Sequence, residues 1–168
     1  MKNLIEILSH FALVGEVIEI KPLGAGLIND SYRVTTTPPE APDYVLQRIN
    51  HTIITDVDML QHNFYRVTTH IRHKLEERGE TDIDRKVLTL IPTKDHKLYY
   101  FDGENYWRVL LFIHHARSYD TLNPQYAYQA GRAFGDLQAP PADIPADPGQ
   151  PIPAFHNMEF RPPPPPAA

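Results

Sequence analysis

Leu23-Gly24-Ala25-Gly26-Leu27-Ile28-Asn29-Asp30-Ser31-Tyr32-Arg33-Val34, with Tyr44-Val45-Leu46-Gln47-Arg48-Ile49-Asn50 close behind, is the stretch that decides the fold. Residues 16–21 and 31–36 are β-rich runs on either side of the two glycines, and residues 44–50 form a third run after the Pro38-Pro39 turn. Three strands with short links form an antiparallel meander. The glycines permit backbone angles closed to other residues and bring bare amides to the tip of the first hairpin. In a dinucleotide-binding turn the glycines lead from a strand into a helix, whereas here a strand leads out. The Gly-Lys-Ser/Thr ending of a P-loop is also missing.

Outward from this hairpin, Leu4, Ile5, Leu8 and Phe11 recur at helical spacing, which predicts a helix over 2–13 ended by Gly15. Thr55, followed three residues later by Asp58, is an N-terminal cap signal. From there Leu60, Phe64, Val67, Ile71 and Leu75 make one apolar stripe that stops before Gly79. Residues 87–93, 97–101 and 106–113 read as three more strands, the last two joined by the turn Asp102-Gly103-Glu104-Asn105. A further helix follows Pro124, with Gly131 and Gly135 allowing close packing. From Pro140 onward lie most of the chain's 17 prolines, so residues 140–168 are expected to be extended rather than a folded lobe. The fold class is α+β: an antiparallel sheet with flanking helices and a Pro-rich C-terminal tail.

At 168 residues and 42% hydrophobic, the chain can bury the core of one domain. The net charge of −5 and scattered Lys and Arg exclude a basic surface that tracks a nucleic-acid backbone. No cysteine is present for a disulfide, a thiolate ligand or a thiol nucleophile. The longest apolar run, Val109-Leu110-Leu111-Phe112-Ile113, is far below a membrane span, and Asn3, Glu6, Ser9 and His10 interrupt the N-terminus too often for a secretory signal. No nucleic-acid or membrane partner and a cytoplasmic location are the expectation. His70 and His73 lack a third ligand nearby and read as a solvated helix face, so no metal site is assigned.

Arg48 follows the glycine turn on the third strand, where a cation could reach phosphate oxygens held by the turn's amides. Strand alternation puts Leu46 and Arg48 on one face, as an apolar contact for adenine and a cation for phosphate. With these residues, Asn63 to Leu75 including Arg66-Val67-Thr68, and Tyr106-Trp107-Arg108-Val109, residues 5–138 resemble the small lobe of the aminoglycoside and choline phosphotransferase superfamily, of protein-kinase-like fold. Within it the similarity is greatest to N-acetylhexosamine kinase-like sugar kinases. The resemblance implies ATP and magnesium as cofactors and a small-molecule, amino-sugar acceptor. It implies a small lobe over 1–113, and a hinge and first large-lobe helix over 114–139, before the tail 140–168. It places Gly24, Gly26, Asn29 and Ser31 in a phosphate-covering loop, Arg48 at the strand cation, and Phe112, Ile113 and His114 at a hinge whose backbone meets the adenine edge.

Two departures from the family pattern shape the functional expectation. The helix after the third strand has no Asp or Glu from Met59 to Leu75, so Gln61, His62 or Asn63 could offer the strand cation only a hydrogen bond. Downstream of the hinge there is neither His/Asn-x-Asp nor Asp-x-Asp, and Asp136, Asp143 and Asp147 have other spacing. Phosphoryl transfer needs carboxylates to hold magnesium and orient the attacking hydroxyl. The expectation is therefore a partial ATP-dependent phosphotransferase with a nucleotide-binding lobe and no catalytic residue, inactive alone, its partner a missing large lobe. The alternative is a non-enzymatic interaction domain on the same fold that contacts another protein.

Overall fold

The computed structural model describes residues 4–24, 28–116 and 123–138. Gly26 and the proline-rich stretch lie outside the described residues. The elements run α1 (Leu4–Leu8), β1 (Glu16–Pro22), β2 (Asp30–Thr37), β3 (Tyr44–Ile49), α2 (Val57–Glu77), α3 (Ile83–Lys86), β4 (Leu90–Ile91), β5 (Tyr100–Phe101), β6 (Tyr106–Leu111) and α4 (Pro124–Gln138). The strands form one six-stranded antiparallel sheet in the order β1-β2-β3-β6-β4. β5 shares the outer edge of β6 with β4: Phe101 pairs with Tyr106 near the start of β6 and Leu90 with Leu110 near its end. The meander β1-β2-β3 is as the sequence predicts.

Strand alternation divides the sheet into two faces. One carries Val34, Tyr44, Leu46, Trp107 and Val109, buried against Ile7, Leu8 and Phe11 from the N-terminal segment. The Tyr44 hydroxyl lies within this core and accepts a hydrogen bond from the Val14 N–H at 2.9 Å, which satisfies its polar end. The other face meets α2, where Ile49 clusters with Ile54 and Val57. At the β5–β6 turn, Asp102 accepts from the Glu104 and Asn105 N–H groups through Oδ1 and from Trp107 Nε1 through Oδ2, at 2.9, 2.8 and 3.0 Å. One carboxylate thus ties the turn to the core tryptophan. No helix of the described residues is long and apolar enough to cross a membrane.

Several boundaries differ from expectation. α1 stops at Leu8, because the following N–H groups turn tightly, Phe11 to the Leu8 carbonyl, and Phe11 then bridges Thr93 as a strand would. Gly15 therefore caps no helix; its φ of +88° belongs to a tight crossing against the β2–β3 loop. The cap of α2 is Asp56 rather than Thr55, its Oδ1 accepting from Met59 N–H at 2.8 Å. The far end closes as predicted at Gly79, with Gly79 N–H on the Glu76 carbonyl and Glu80 N–H on that of Leu75. Residues 87–93 contain only the two-residue strand β4, since residues 83–86 just before them form the helical turn α3 and Pro92 has no N–H to extend the ladder. α4 begins at Pro124 as expected, with Asn123 Oδ1 accepting from Tyr126 N–H. Among the described residues nothing outside the local helix lies within 4 Å of a Cβ built at Gly131 or Gly135.

Candidate nucleotide site at the glycine turn

The sheet presents its glycine turn at one end. Leu23 N–H donates to the Ser31 carbonyl at 2.8 Å and closes the hairpin. Beyond it Gly24 has φ of +68° with open space where a side chain would stand. The glycine permits this left-handed conformation and is itself exposed. Asn29 Oδ1 accepts the Asn50 N–H at 3.0 Å, which anchors the return strand to the end of β3.

Arg48 lies at this end, 46% exposed, with its Nε donating to Asp30 Oδ2 at 2.7 Å and its Nη2 to the same oxygen. Asn105 Oδ1 takes a longer bond from Nη1 at 3.4 Å. A cleft of about 440 Å³ opens beside it, bordered by Ile28, Asn50 and His51. Leu46 and Arg48 do share a face, as alternation requires, but Leu46 is 0% exposed within the core formed with Ile7, Leu8 and Phe11. It cannot touch a ligand, and the adenine contact assigned to it is withdrawn.

The opposite face carries a polar row of which the sequence marks only Ser31 as a site residue. Ser31 pairs with Gln47, and Gln47 with Arg108, so one residue from each of β2, β3 and β6 lies abreast. Arg108 Nε donates to Gln47 Oε1, and Gln47 Nε2 donates to Ser31 Oγ, both at 2.9 Å. The Arg108 guanidinium also stacks 5.0 Å from the centre of the Phe64 ring of α2. Burial lowers the Arg108 pKa to about 10, which leaves it fully charged at neutral pH. The available signal was a cation inside the otherwise apolar run Tyr106-Trp107-Arg108-Val109.

On α2, His62 lies on the exposed side beside Asp58, with its Nδ1 3.0 Å from the Asp58 carbonyl, and Asn63 is half-buried. Gln61 is the residue that enters the interior: it is 0% exposed and neither amide atom has a partner. Towards the expected hinge, Phe112 N–H is already used, donating to the Asp43 carbonyl at 2.9 Å. The His114 carbonyl accepts from Arg85 Nη1. Ile113 is half-buried between them.

Asp43 supports this end of β6. It is buried and accepts from Arg33 Nη2 at 2.9 Å and Thr36 N–H at 3.1 Å, with His114 Nε2 at 3.8 Å. Burial pushes its pKa up, but the bonds from Arg33 and Thr36 and the charges of Arg33 and His114 prevail and hold it below the ordinary 3.8. A carboxyl depressed in the fold adds stability that is complete above the unfolded-chain value and is lost as pH falls through the folded value. Asp43→Asn should cost about 1–3 kcal/mol at pH 7, and denaturant titrations should show the gap to wild type closing below about pH 4. A gap that stays constant down to pH 2 would mean that Asp43 is not ionised in the fold.

No protein-family model matches the chain. Among solved structures it is similar to the spectinomycin phosphotransferase APH(9)-Ia, whose crystal structure is a complex with ADP and spectinomycin. The TM-score is 0.50 at 17% identity, over 82% of this chain and 37% of that one. The likeness is one of fold. The chain thus spans little more than a third of that phosphotransferase's length, and its antiparallel six-stranded sheet with a few helices is the make-up of a kinase-like small lobe.

Proposed function

We propose that this chain is the nucleotide-binding lobe of an ATP-dependent phosphotransferase acting on a small-molecule acceptor, an amino sugar by the resemblance of its motifs. The observation that carries the reading is an exposed Gly24 with positive φ, just past the first strand of a sheet whose fold is shared with part of a phosphotransferase. In this reading Gly24, Gly26, Asn29 and Ser31 cover the phosphates, Arg48 stands at the mouth of the turn, and Phe112, Ile113 and His114 border the adenine. Residues 1–113 form the lobe, 114–139 the hinge and first helix of a larger lobe, and 140–168 a tail.

The described residues fit a nucleotide better than they fit its metal. Gly24 is exposed and Arg108 offers a half-buried cation, whereas no three His, Asp or Glu side chains among the described residues stand together as ligands. ATP supplies the transferable phosphoryl group when bound, and what these residues supply is grip and orientation; no transfer step is assigned to them.

A second reading, a kinase-lobe-like interaction domain without enzymatic activity, is favoured by α4, where Tyr128 and Phe134 are 69% and 68% exposed. Calorimetric titration of the folded chain with ATP and with adenosine separates the two. Saturable binding of both, with ATP the tighter, supports the nucleotide lobe. A folded chain that ignores both would overturn it in favour of the interaction domain.

A further inference from the structure

The sheet face against α2 holds a cation without a carboxylate. Arg108 is half-buried, and a charge drawn out of water normally has a counter-ion, because desolvation is repaid only by close opposite charge and saturated hydrogen bonding. Arg108 has one hydrogen bond to an amide oxygen, the face of Phe64, and no ion pair among the described residues. Of its five N–H groups only that on Nε meets a protein acceptor there, which leaves both terminal nitrogens able to donate.

The row has a fixed polarity. Because Arg108 can only donate, the Gln47 carbonyl must face it, and the Gln47 amide nitrogen must then face Ser31. Ser31 Oγ is the acceptor of that bond, so its own proton points elsewhere. Both ends of the chain Arg108–Gln47–Ser31 therefore keep donors that the row itself does not use. Ser31 also holds the base of the glycine turn through its carbonyl, so one donor end stands directly at the turn. Arg48 contrasts on every count: it is exposed, on the other face, and two of its nitrogens are spent on Asp30.

We infer that the Ser31–Gln47–Arg108 row is a binding site for a polyphosphate group, with Arg108 rather than Arg48 supplying the bidentate cation. With a nucleotide as the source of the polyphosphate, the inference deepens the reading above and rests on it. A guanidinium fork with two free nitrogens matches two phosphate oxygens, and Gln47 acts as a positioning residue that holds the fork in plane.

The test uses the full chain and reads the fluorescence of Trp107, the only tryptophan and the neighbour of Arg108 in sequence. Wild type, Arg108→Met, Ser31→Ala and the surface control Lys21→Met are titrated with sodium tripolyphosphate, ATP and adenosine, and each titration is repeated by calorimetry. Arg108→Met should weaken tripolyphosphate and ATP by about tenfold or more and leave adenosine unchanged, with Lys21→Met binding as wild type. Ser31→Ala should weaken the two anions by about threefold without unfolding the chain, which keeps the test open if Arg108→Met does not fold. Wild-type affinity for ATP in both Arg108→Met and Ser31→Ala overturns the inference and leaves the nucleotide reading standing. Arg108-dependent binding of tripolyphosphate without binding of ATP or adenosine upholds the anion site and overturns the nucleotide as its source. Wild type that binds neither anion overturns both.

Discussion

Gly15→Ala should destabilise the fold by about 3 kcal/mol and lower the melting temperature by about 10 °C. Gly15 sits at φ +88°, where an L side chain is strained, and a Cβ there would lie 2.7 Å from Ala41 Cβ and 2.8 Å from the Thr37 carbonyl oxygen. Backbone cannot swing aside as a flexible side chain can, so the strand β1 would have to separate from the β2–β3 loop. Gly79 supplies the control. Its φ is +67°, but nothing lies within 4 Å of the added carbon, so Gly79→Ala carries only the conformational cost of about 1 kcal/mol. Equal losses for the two substitutions, measured by urea denaturation, would show that the close approach at Gly15 does not constrain the fold.

Gln61→Met should do the opposite and stabilise the chain by about 2 kcal/mol. The residue is wholly buried in α2, and its amide nitrogen and oxygen are both without partners among the described residues. An amide desolvated on both sides loses its bonds to water and regains none, whereas a thioether of similar length fills the same space at no such cost. Loss of stability in Gln61→Met would mean that the amide is satisfied in solution, with a buried water the simplest partner. The substitution also bears on function. Under the proposed kinase-lobe reading, α2 would stand where a protein kinase's helix offers a carboxylate to the strand cation; here the interior position on α2 is held by an uncharged amide. Loss of ATP affinity in a stabilised Gln61→Met would show that the amide is retained for the ligand rather than for the fold.

Gly15 also shows where reading the chain one residue at a time stops. As a helix terminator it fits the local pattern, yet its glycine is required by Ala41 and Thr37, more than 20 residues away. Gln61 makes the same point from the other side: the sequence leaves Gln61, His62 and Asn63 as equal candidates to hydrogen-bond the strand cation, and only the packing of α2 sends Gln61 inward.

What was legible in the residues was governed by short range, although the local end of α1 and the cap of α2 were not. Period-two runs bounded by Gly and Pro specify β1, β2 and β3 and their antiparallel order, because a strand and its turn are contiguous. The same holds for the body of α2, whose 3.6-residue stripe and Gly79 closure are local, and for the start of α4 at Pro124. Alternation likewise put Leu46 and Arg48 together on one face. It could not say which face, since a strand looks the same from either side until a helix covers one of them. That choice was made by α1, which helps bury Leu46 and leaves Gln47 on the opposite face, and by β6, whose register beside β3 brings Arg108 abreast of Gln47 from 61 residues away. Contacts between residues so distant in the chain leave no periodic trace in it, so the polar row exists only once the sheet has closed.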